Sequence, residues 1–151
     1  GGYAMARNTA RSTVANSSIR NILSEISMAL FDEVTEDYLK EAAAFFEYKC
    51  PYTGEDIEYE IKNNIMTNLE MDHIMPISKD HIGLNVKGNT VYVRKKANTS
   101  KSDVAYDKFL IEYGKKNKIP ESETEARINK IKAFQKHHNY DHELICLIIK
   151  N

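Results

Sequence analysis

Two short segments near the middle of the chain are the parts whose residues favour β-strands, and they limit what the chain can fold into. Residues 67–73 (TNLEMDH) alternate in polarity, and residues 90–95 (TVYVRK) are rich in β-branched and aromatic side chains. A polar loop with two glycines, residues 77–89, joins them. The sequence therefore predicts a small α+β domain whose middle runs strand, loop, strand, helix, with helices on both flanks.

Helical periodicity predicts the N-terminal flank. Apolar side chains recur at helical spacing over residues 19–30, and one of the residues 16–18 can cap that helix. A second helix is expected to begin after Thr35 as its N-cap and to have Lys49 in its last turn. We expect this flank to occupy residues 5–49.

The C-terminal half is also predicted to be helical. A helix is expected over residues 98–113, ended by Gly114. A long helix is expected to open with Ser122 and Glu125 as a capping box. Residues 143–150 fit a short helix or a strand, with the helix favoured. Together with residues 50–114 in the middle, a C-terminal flank over residues 120–151 completes one compact domain.

Composition excludes several classes of protein. The chain has 151 residues, of which 42% are hydrophobic and 28% charged, so it can form one packed domain. No apolar run is long enough to span a membrane. Cys50 and Cys146 are too few for a disulfide framework, which fits a reducing, cytoplasmic compartment. Residues 1–4 (GGYA) before Met5 have the appearance of a cloning remnant and are left out of the fold prediction.

Charge is distributed unevenly although the net charge is only −1. Residues 32–60 contain ten acidic and two basic side chains, whereas residues 87–118 contain nine basic and three acidic ones. A basic segment on an otherwise acidic molecule is typical of a surface that faces a polyanion. Two solvated helices of opposite charge would explain the same pattern.

Three blocks in order resemble the HNH nucleases, whose fold is the ββα-metal (His-Me) finger. These blocks are CPYTGEDI from Cys50, LEMDHIMPIS from Leu69, and GLNVKGNTVYVRKKANTSKSD from Gly83. They are similar to small phage or restriction HNH enzymes and to the HNH domain of CRISPR nucleases. The resemblance implies a ββα-metal finger embedded in flanking helices, with DNA as its substrate and partner.

The resemblance also implies a role for individual residues. His73 would be the general base, and Asn89 would brace the loop that carries it. Asp72 and Asn98 would be metal ligands. The residues expected to contact DNA phosphates are Arg94, Lys95, Lys96 and Lys101.

The chemistry of these residue types agrees with those roles. An imidazole, whose ordinary pKa is roughly 6.5, can accept a proton from water at pH 7. A carboxylate and an amide carbonyl are hard oxygen donors, which suit Mg²⁺ or Mn²⁺. Alternation along the strand would let Asp72 face the cation while His73 faces the attacking water.

A structural zinc, which many relatives bind through two Cys-x-x-Cys pairs, is not expected. Thr53 stands three residues after Cys50, where such a pair needs a second cysteine, and Cys146 is remote. His137, His138 and His142 invite a metal interpretation, but histidines at a helix end more often lie near the helix dipole. Packing by the flanking helices must then hold the finger together.

Other interpretations stay open at this stage. Asp72 and His73 can form a buried hydrogen-bonded pair, Asn89 can be a turn residue, and Asn98 can be a helix N-cap. The chain can be a DNA-binding module that no longer cuts, or an interaction domain whose acidic helix at residues 35–49 docks a basic partner. A homodimer is a further expectation, because one finger of this size contacts one strand of DNA.

Overall fold

The computed structural model describes residues 33–78 and 80–150, which form one two-stranded sheet and a series of helices. In chain order the elements are α1 (Glu36–Phe45), α2 (Glu58–Lys62), β1 (Leu69–His73), β2 (Thr90–Arg94), α3 (Lys95–Lys101), α4 (Tyr106–Lys116), α5 (Glu121–His137) and α6 (His142–Lys150). The predicted helix over residues 19–30 and its cap at residues 16–18 lie outside the described residues. No helix of the described part is long and apolar enough to cross a lipid bilayer.

The sheet and the helix that follows it form a ββα unit. β1 and β2 are antiparallel, with Leu69 opposite Arg94 and His73 opposite Thr90. α3 begins directly after β2 and packs against both strands. The predicted order of strand, loop, strand and helix, and the α+β class, are confirmed.

The flanking helices supply the core that two strands cannot form alone. α1 packs on β2, whose Val91 and Val93 are fully buried. Across the same core, the ring centroids of Phe46 and Phe134 lie 5.0 Å apart. Phe134 belongs to α5 and is also fully buried. Burial of one such side chain stabilises a fold by roughly 1.5–3 kcal/mol.

The first described helix begins as predicted and ends earlier. The Thr35 side chain accepts a hydrogen bond from the backbone N–H of Tyr38, which confirms the N-cap. The helix stops at Phe45, because Glu47 and Tyr48 adopt positive φ angles and reverse the chain. The prediction that Lys49 lies in the last turn was therefore wrong.

The predicted helix over residues 98–113 is two helices. Ser102 has a φ of +48° and ends α3, and α4 starts at Tyr106. Gly114 does not end α4 but lies inside it. A Cβ at Gly114 would lie 2.5 Å from the Thr124 side chain, so a glycine permits the close approach of α5.

The two remaining helix predictions had different outcomes. The capping box at Ser122 and Glu125 was wrong, because α5 begins at Glu121 after Pro120. The helix favoured for residues 143–150 is confirmed as α6. The rings of His137 and His138 pack against Phe45 and Phe134.

One tyrosine of the N-terminal flank holds the start of β2 in place. The Tyr38 hydroxyl donates a hydrogen bond to the carbonyl of Thr90 at 2.7 Å and accepts one from the N–H of Gly88 at 2.9 Å. Both backbone groups belong to buried residues. The flanking helix thereby fixes the backbone on either side of Asn89.

Replacement of Tyr38 by phenylalanine tests this connection, because it keeps the ring and removes the hydroxyl. We expect the free energy of unfolding to fall by about 1–3 kcal/mol, since two buried backbone groups lose a partner. Urea denaturation followed by circular dichroism measures the change. Tyr59→Phe, at a tyrosine that is 72% exposed, is the matched control and should change stability by less than about 0.5 kcal/mol. Equal stability of the two variants would contradict the assignment.

Candidate active site

The last two residues of β1 present their side chains to opposite sides of the sheet. Asp72 is 8% exposed and points to the side on which α3 packs, where Lys101 of that helix contacts it. His73 is half-buried, so its ring is not sealed from solvent. The sheet therefore separates a buried carboxylate from an accessible imidazole, as the alternation of a strand requires.

Two buried side chains hold the same oxygen of the Asp72 carboxylate. The Tyr52 hydroxyl donates a hydrogen bond to Oδ2 at 2.7 Å, and Lys101 Nζ lies 3.2 Å from that atom. Lys101 Nζ also donates to the backbone carbonyl of His73 at 2.9 Å. Since both partners bind Oδ2, the orientation of the carboxylate is set and Oδ1 makes none of these contacts.

Burial has opposite effects on the ionisation of the two partners. It raises the pKa of Tyr52 well above the ordinary value, and the Asp72 charge raises it further. It lowers the pKa of Lys101, while the Asp72 carboxylate opposes that shift. Tyr52 consequently stays protonated and remains a hydrogen-bond donor to Asp72.

Asn98 lies in the second turn of α3 and not at its N-terminus. Its Nδ2 donates a hydrogen bond to Oε1 of Glu70 at 3.1 Å. Glu70 and Asp72 are two residues apart on one strand, and Asn98 and Lys101 are three apart on one helix, so the two contacts are adjacent along the same strand–helix packing. The amide nitrogen of Asn98 is bound to Glu70, and its amide oxygen remains as an atom that can coordinate a metal ion. The N-cap interpretation of Asn98 was wrong.

The imidazole of His73 forms a hydrogen bond with the side chain of Asn85. Its Nε2 lies 2.9 Å from Oδ1 of Asn85, in the loop between the strands. An amide oxygen only accepts hydrogen bonds, so Nε2 carries the proton in this contact. In a neutral ring the other nitrogen, Nδ1, then has a free lone pair.

Asn89 connects the two ends of the loop that joins β1 to β2. The side chain accepts a hydrogen bond from the N–H of Met75 at 2.8 Å and donates to the carbonyls of Met75 and Leu84 at 3.0 and 2.9 Å. It is fully buried, and its amide group is satisfied by these backbone partners. The placement fits the bracing role that the family resemblance implies.

The residues expected at DNA phosphates occupy different environments. Arg94 contacts Glu55 at 3.1 Å and Glu60 at 2.7 Å, and Lys96 contacts Glu55 at 2.7 Å. These acids neutralise both cations in the structure. Lys95 is exposed.

Lys101 differs most from the expectation. It is 0% exposed, and its ammonium group contacts Asp72 and the backbone of His73. A side chain sealed in this way does not offer its charge to a phosphate on the surface. The structure places it behind the carboxylate, so its ammonium group is not available for the expected contact with a phosphate.

Sequence reasoning missed three side chains that contact the expected general base and metal ligands: Tyr52, Glu70 and Asn85. Tyr52 belongs to the CPYTGEDI block, and Glu70 shares a strand face with Asp72, so both had a signal in the sequence. Asn85 had none, because its contact with His73 depends on the path of an irregular loop. Near the end of β1 the structure thus places an oriented carboxylate on the side of α3, the amide of Asn98 next to Glu70 on the same side, and the imidazole of His73 on the opposite side.

The segment that contains the ββα unit matches a known protein family. Residues 50–105 match the family model described as HNH endonuclease. The match begins at Cys50, includes both strands and α3, and ends immediately before α4. No curated protein gives a significant match to the chain. Residues 50–105 are therefore an HNH endonuclease domain, and a domain of this family indicates nuclease activity.

Proposed function

We propose that this protein hydrolyses DNA phosphodiester bonds in a reaction that depends on a divalent cation. The observation that carries the proposal is the arrangement at the end of β1. Asp72 is held in one orientation by Tyr52 and Lys101, and His73, the next residue, presents its ring on the opposite face. A fixed acid beside an accessible base suits the hydrolysis of a phosphodiester.

The side chains present fit Mg²⁺ or Mn²⁺. Oδ1 of Asp72 and Oδ1 of Asn98 are the oxygen atoms that would hold the cation, and Glu70 lies beside them. The described residues contain no cluster of three or more His, Cys, Asp or Glu side chains that could enclose a metal by themselves. Mg²⁺ commonly binds through one or two protein oxygens and completes its shell with water and phosphate. When bound, the cation would neutralise charge on the scissile phosphate.

His73 would act as the general base. It would take a proton from the attacking water, whose oxygen then bonds to phosphorus while the 3′ oxygen leaves with the bonding electron pair. Asn89 would keep the loop beside the base in place through its bonds to Met75 and Leu84. Lys101 would position Asp72 and the backbone of His73.

The contact with DNA is proposed to involve Lys95 first. Arg94 and Lys96 can take part if phosphate replaces Glu55 and Glu60 as their partner, which makes such contacts dependent on salt.

We propose that the protein is a restriction or phage enzyme that acts in the cytoplasm. The homodimer finds no support in residues 33–78 and 80–150, and it is not part of the proposal.

Replacement of His73 by alanine tests the assignment of the base. With supercoiled plasmid and Mg²⁺ we expect the rate of nicking to fall at least 100-fold, because loss of a general base costs about 10²–10⁴-fold. Gel electrophoresis of the plasmid over time measures the rate, and EDTA should abolish it. Tyr59→Phe is the control and should cut like the unchanged protein. Cleavage that survives the His73 substitution would refute the assignment.

Replacement of Tyr52 by phenylalanine tests the orientation of Asp72. The ring still packs edge-on against Phe109 at 5.5 Å, but the carboxylate loses its 2.7 Å hydrogen bond. We expect the Mg²⁺ concentration for half-maximal cleavage to rise about 10- to 100-fold, as is usual when a group that orients a metal ligand is removed. Binding of Mn²⁺ followed by electron paramagnetic resonance should weaken by a similar factor.

The matched control for this experiment is Tyr106→Phe. Tyr106 is another buried tyrosine, and its hydroxyl forms no hydrogen bond with Asp72 in the described structure. The variant should keep the Mg²⁺ dependence of the unchanged protein. An identical response of both variants would mean that the Tyr52 hydroxyl does not act through Asp72.

A second candidate is a DNA-binding module that does not cut. The observation in its favour is the ion pair of Lys101 with Asp72, which places a positive charge 3.2 Å from the carboxylate that would bind the cation. Salt-dependent DNA binding by the unchanged protein without any nicking would favour this module.

A further inference from the structure

We propose that Asn85 is a positioning residue for His73, which holds the proton on Nε2 and leaves Nδ1 as the atom that accepts a proton from water. The assignment rests on the proposed function only for the part that concerns catalysis. The hydrogen bond and the tautomer that follows from it belong to the folded protein, whether or not it cuts DNA.

The geometry of the contact determines the tautomer. Oδ1 of Asn85 lies 2.9 Å from Nε2 of His73, which is a full hydrogen bond. The amide oxygen cannot donate, so the imidazole nitrogen must. A neutral imidazole has one N–H group, and its position on Nε2 leaves Nδ1 unprotonated.

The backbone on both sides of Asn85 is held in place. Before it, the carbonyl of Leu84 accepts a hydrogen bond from Asn89 Nδ2 at 2.9 Å. After it, the carbonyl of Val86 accepts from the backbone N–H of Asn89 and from the Thr90 hydroxyl, both at 3.1 Å. Asn85 is therefore the exposed residue between two anchored neighbours, and its side chain is carried to a defined place.

Close backbone contact fixes the other side of the loop. The N–H of Gly83 donates to the carbonyl of Pro76 at 2.8 Å. A Cβ at Gly83 would lie 1.8 Å from the carbonyl oxygen of Met75, so only glycine fits there. The loop thus returns toward the segment that follows His73, and this return brings Asn85 back to the imidazole.

The consequence for the reaction concerns one proton. Water loses a proton to Nδ1, and its oxygen forms the bond to phosphorus. The resulting imidazolium keeps its Nε2 proton in the hydrogen bond to Asn85, where the amide oxygen also favours the positive charge. Without this contact the neutral ring can adopt the other tautomer or rotate, and Nδ1 is then not reliably available as a base.

The test compares Asn85→Ala, which removes the acceptor, with Asn85→Asp, which retains an oxygen in its place. Each full chain is labelled with ¹⁵N-histidine and studied at pH 8.5 by two-bond ¹H–¹⁵N correlation spectroscopy. We expect His73 to show protonated Nε2 and unprotonated Nδ1 in the unchanged protein and in Asn85→Asp. In Asn85→Ala the two nitrogen shifts should move toward each other, as expected for a mixture of tautomers.

Cleavage kinetics give the second measurement. Asn85→Ala should lower kcat about tenfold with little change in KM for DNA, because the hydrogen bond orients the base, whereas Asn85→Asp should retain more of the rate. Asn63→Ala, at an exposed asparagine after α2, is the matched control and should change neither the tautomer nor the rate. Thermal unfolding of every variant checks that the fold is kept.

The outcomes separate this inference from the proposed function. An unchanged His73 tautomer in Asn85→Ala, or a protonated Nδ1 in the unchanged protein, would overturn the role of Asn85. The expected tautomers together with the expected loss of kcat would support it. If no variant cuts DNA, the proposed function fails, while the spectra still decide whether Asn85 sets the tautomer.

Discussion

A single buried carboxylate organises the centre of this protein. Oδ2 of Asp72 receives a hydrogen bond from Tyr52 and an ion pair from Lys101, and these partners come from segments before and after the sheet. Burial of a lone carboxylate is unfavourable, and removal of one partner from such a group is costly. The turn at residues 50–54, β1 and α3 are therefore joined at one atom, and the half-buried imidazole of His73 follows directly on the chain.

The small size of the sheet makes the flanking helices part of this arrangement. Two paired strands are marginally stable alone, so the core is formed with α1 and α5. Cys50 connects the turn at residues 50–54 to the end of β2. Its sulfur accepts hydrogen bonds from the N–H groups of Thr53 and Arg94 at 3.5 and 3.3 Å. A thiol between the turn and β2, together with aromatic packing, joins the elements near the candidate site.

The loop between the strands has two levels of support. Asn89 is sealed in the interior and ties Met75 to Leu84, while Tyr38 of α1 secures the backbone on both sides of Asn89. The polar exterior of the loop then presents Asn85 to His73. Under the proposed function, Asn89 acts on His73 only through the backbone of the loop, whereas Asn85 contacts the His73 ring directly.

Local sequence patterns were enough to predict the order of strand, loop, strand and helix, and the neighbouring acid and imidazole at the end of β1. Periodicity and short ordered motifs are local properties, so they can be read without coordinates. The C-terminal ends of two helices, Phe45 in α1 and Lys101 in α3, could not be predicted from the sequence. Each follows from a positive φ angle that tertiary contacts impose. The burial of Lys101 behind Asp72 and the contact of Asn85 with His73 depend on the complete fold, since packing and the path of a loop bring together residues that are distant in sequence.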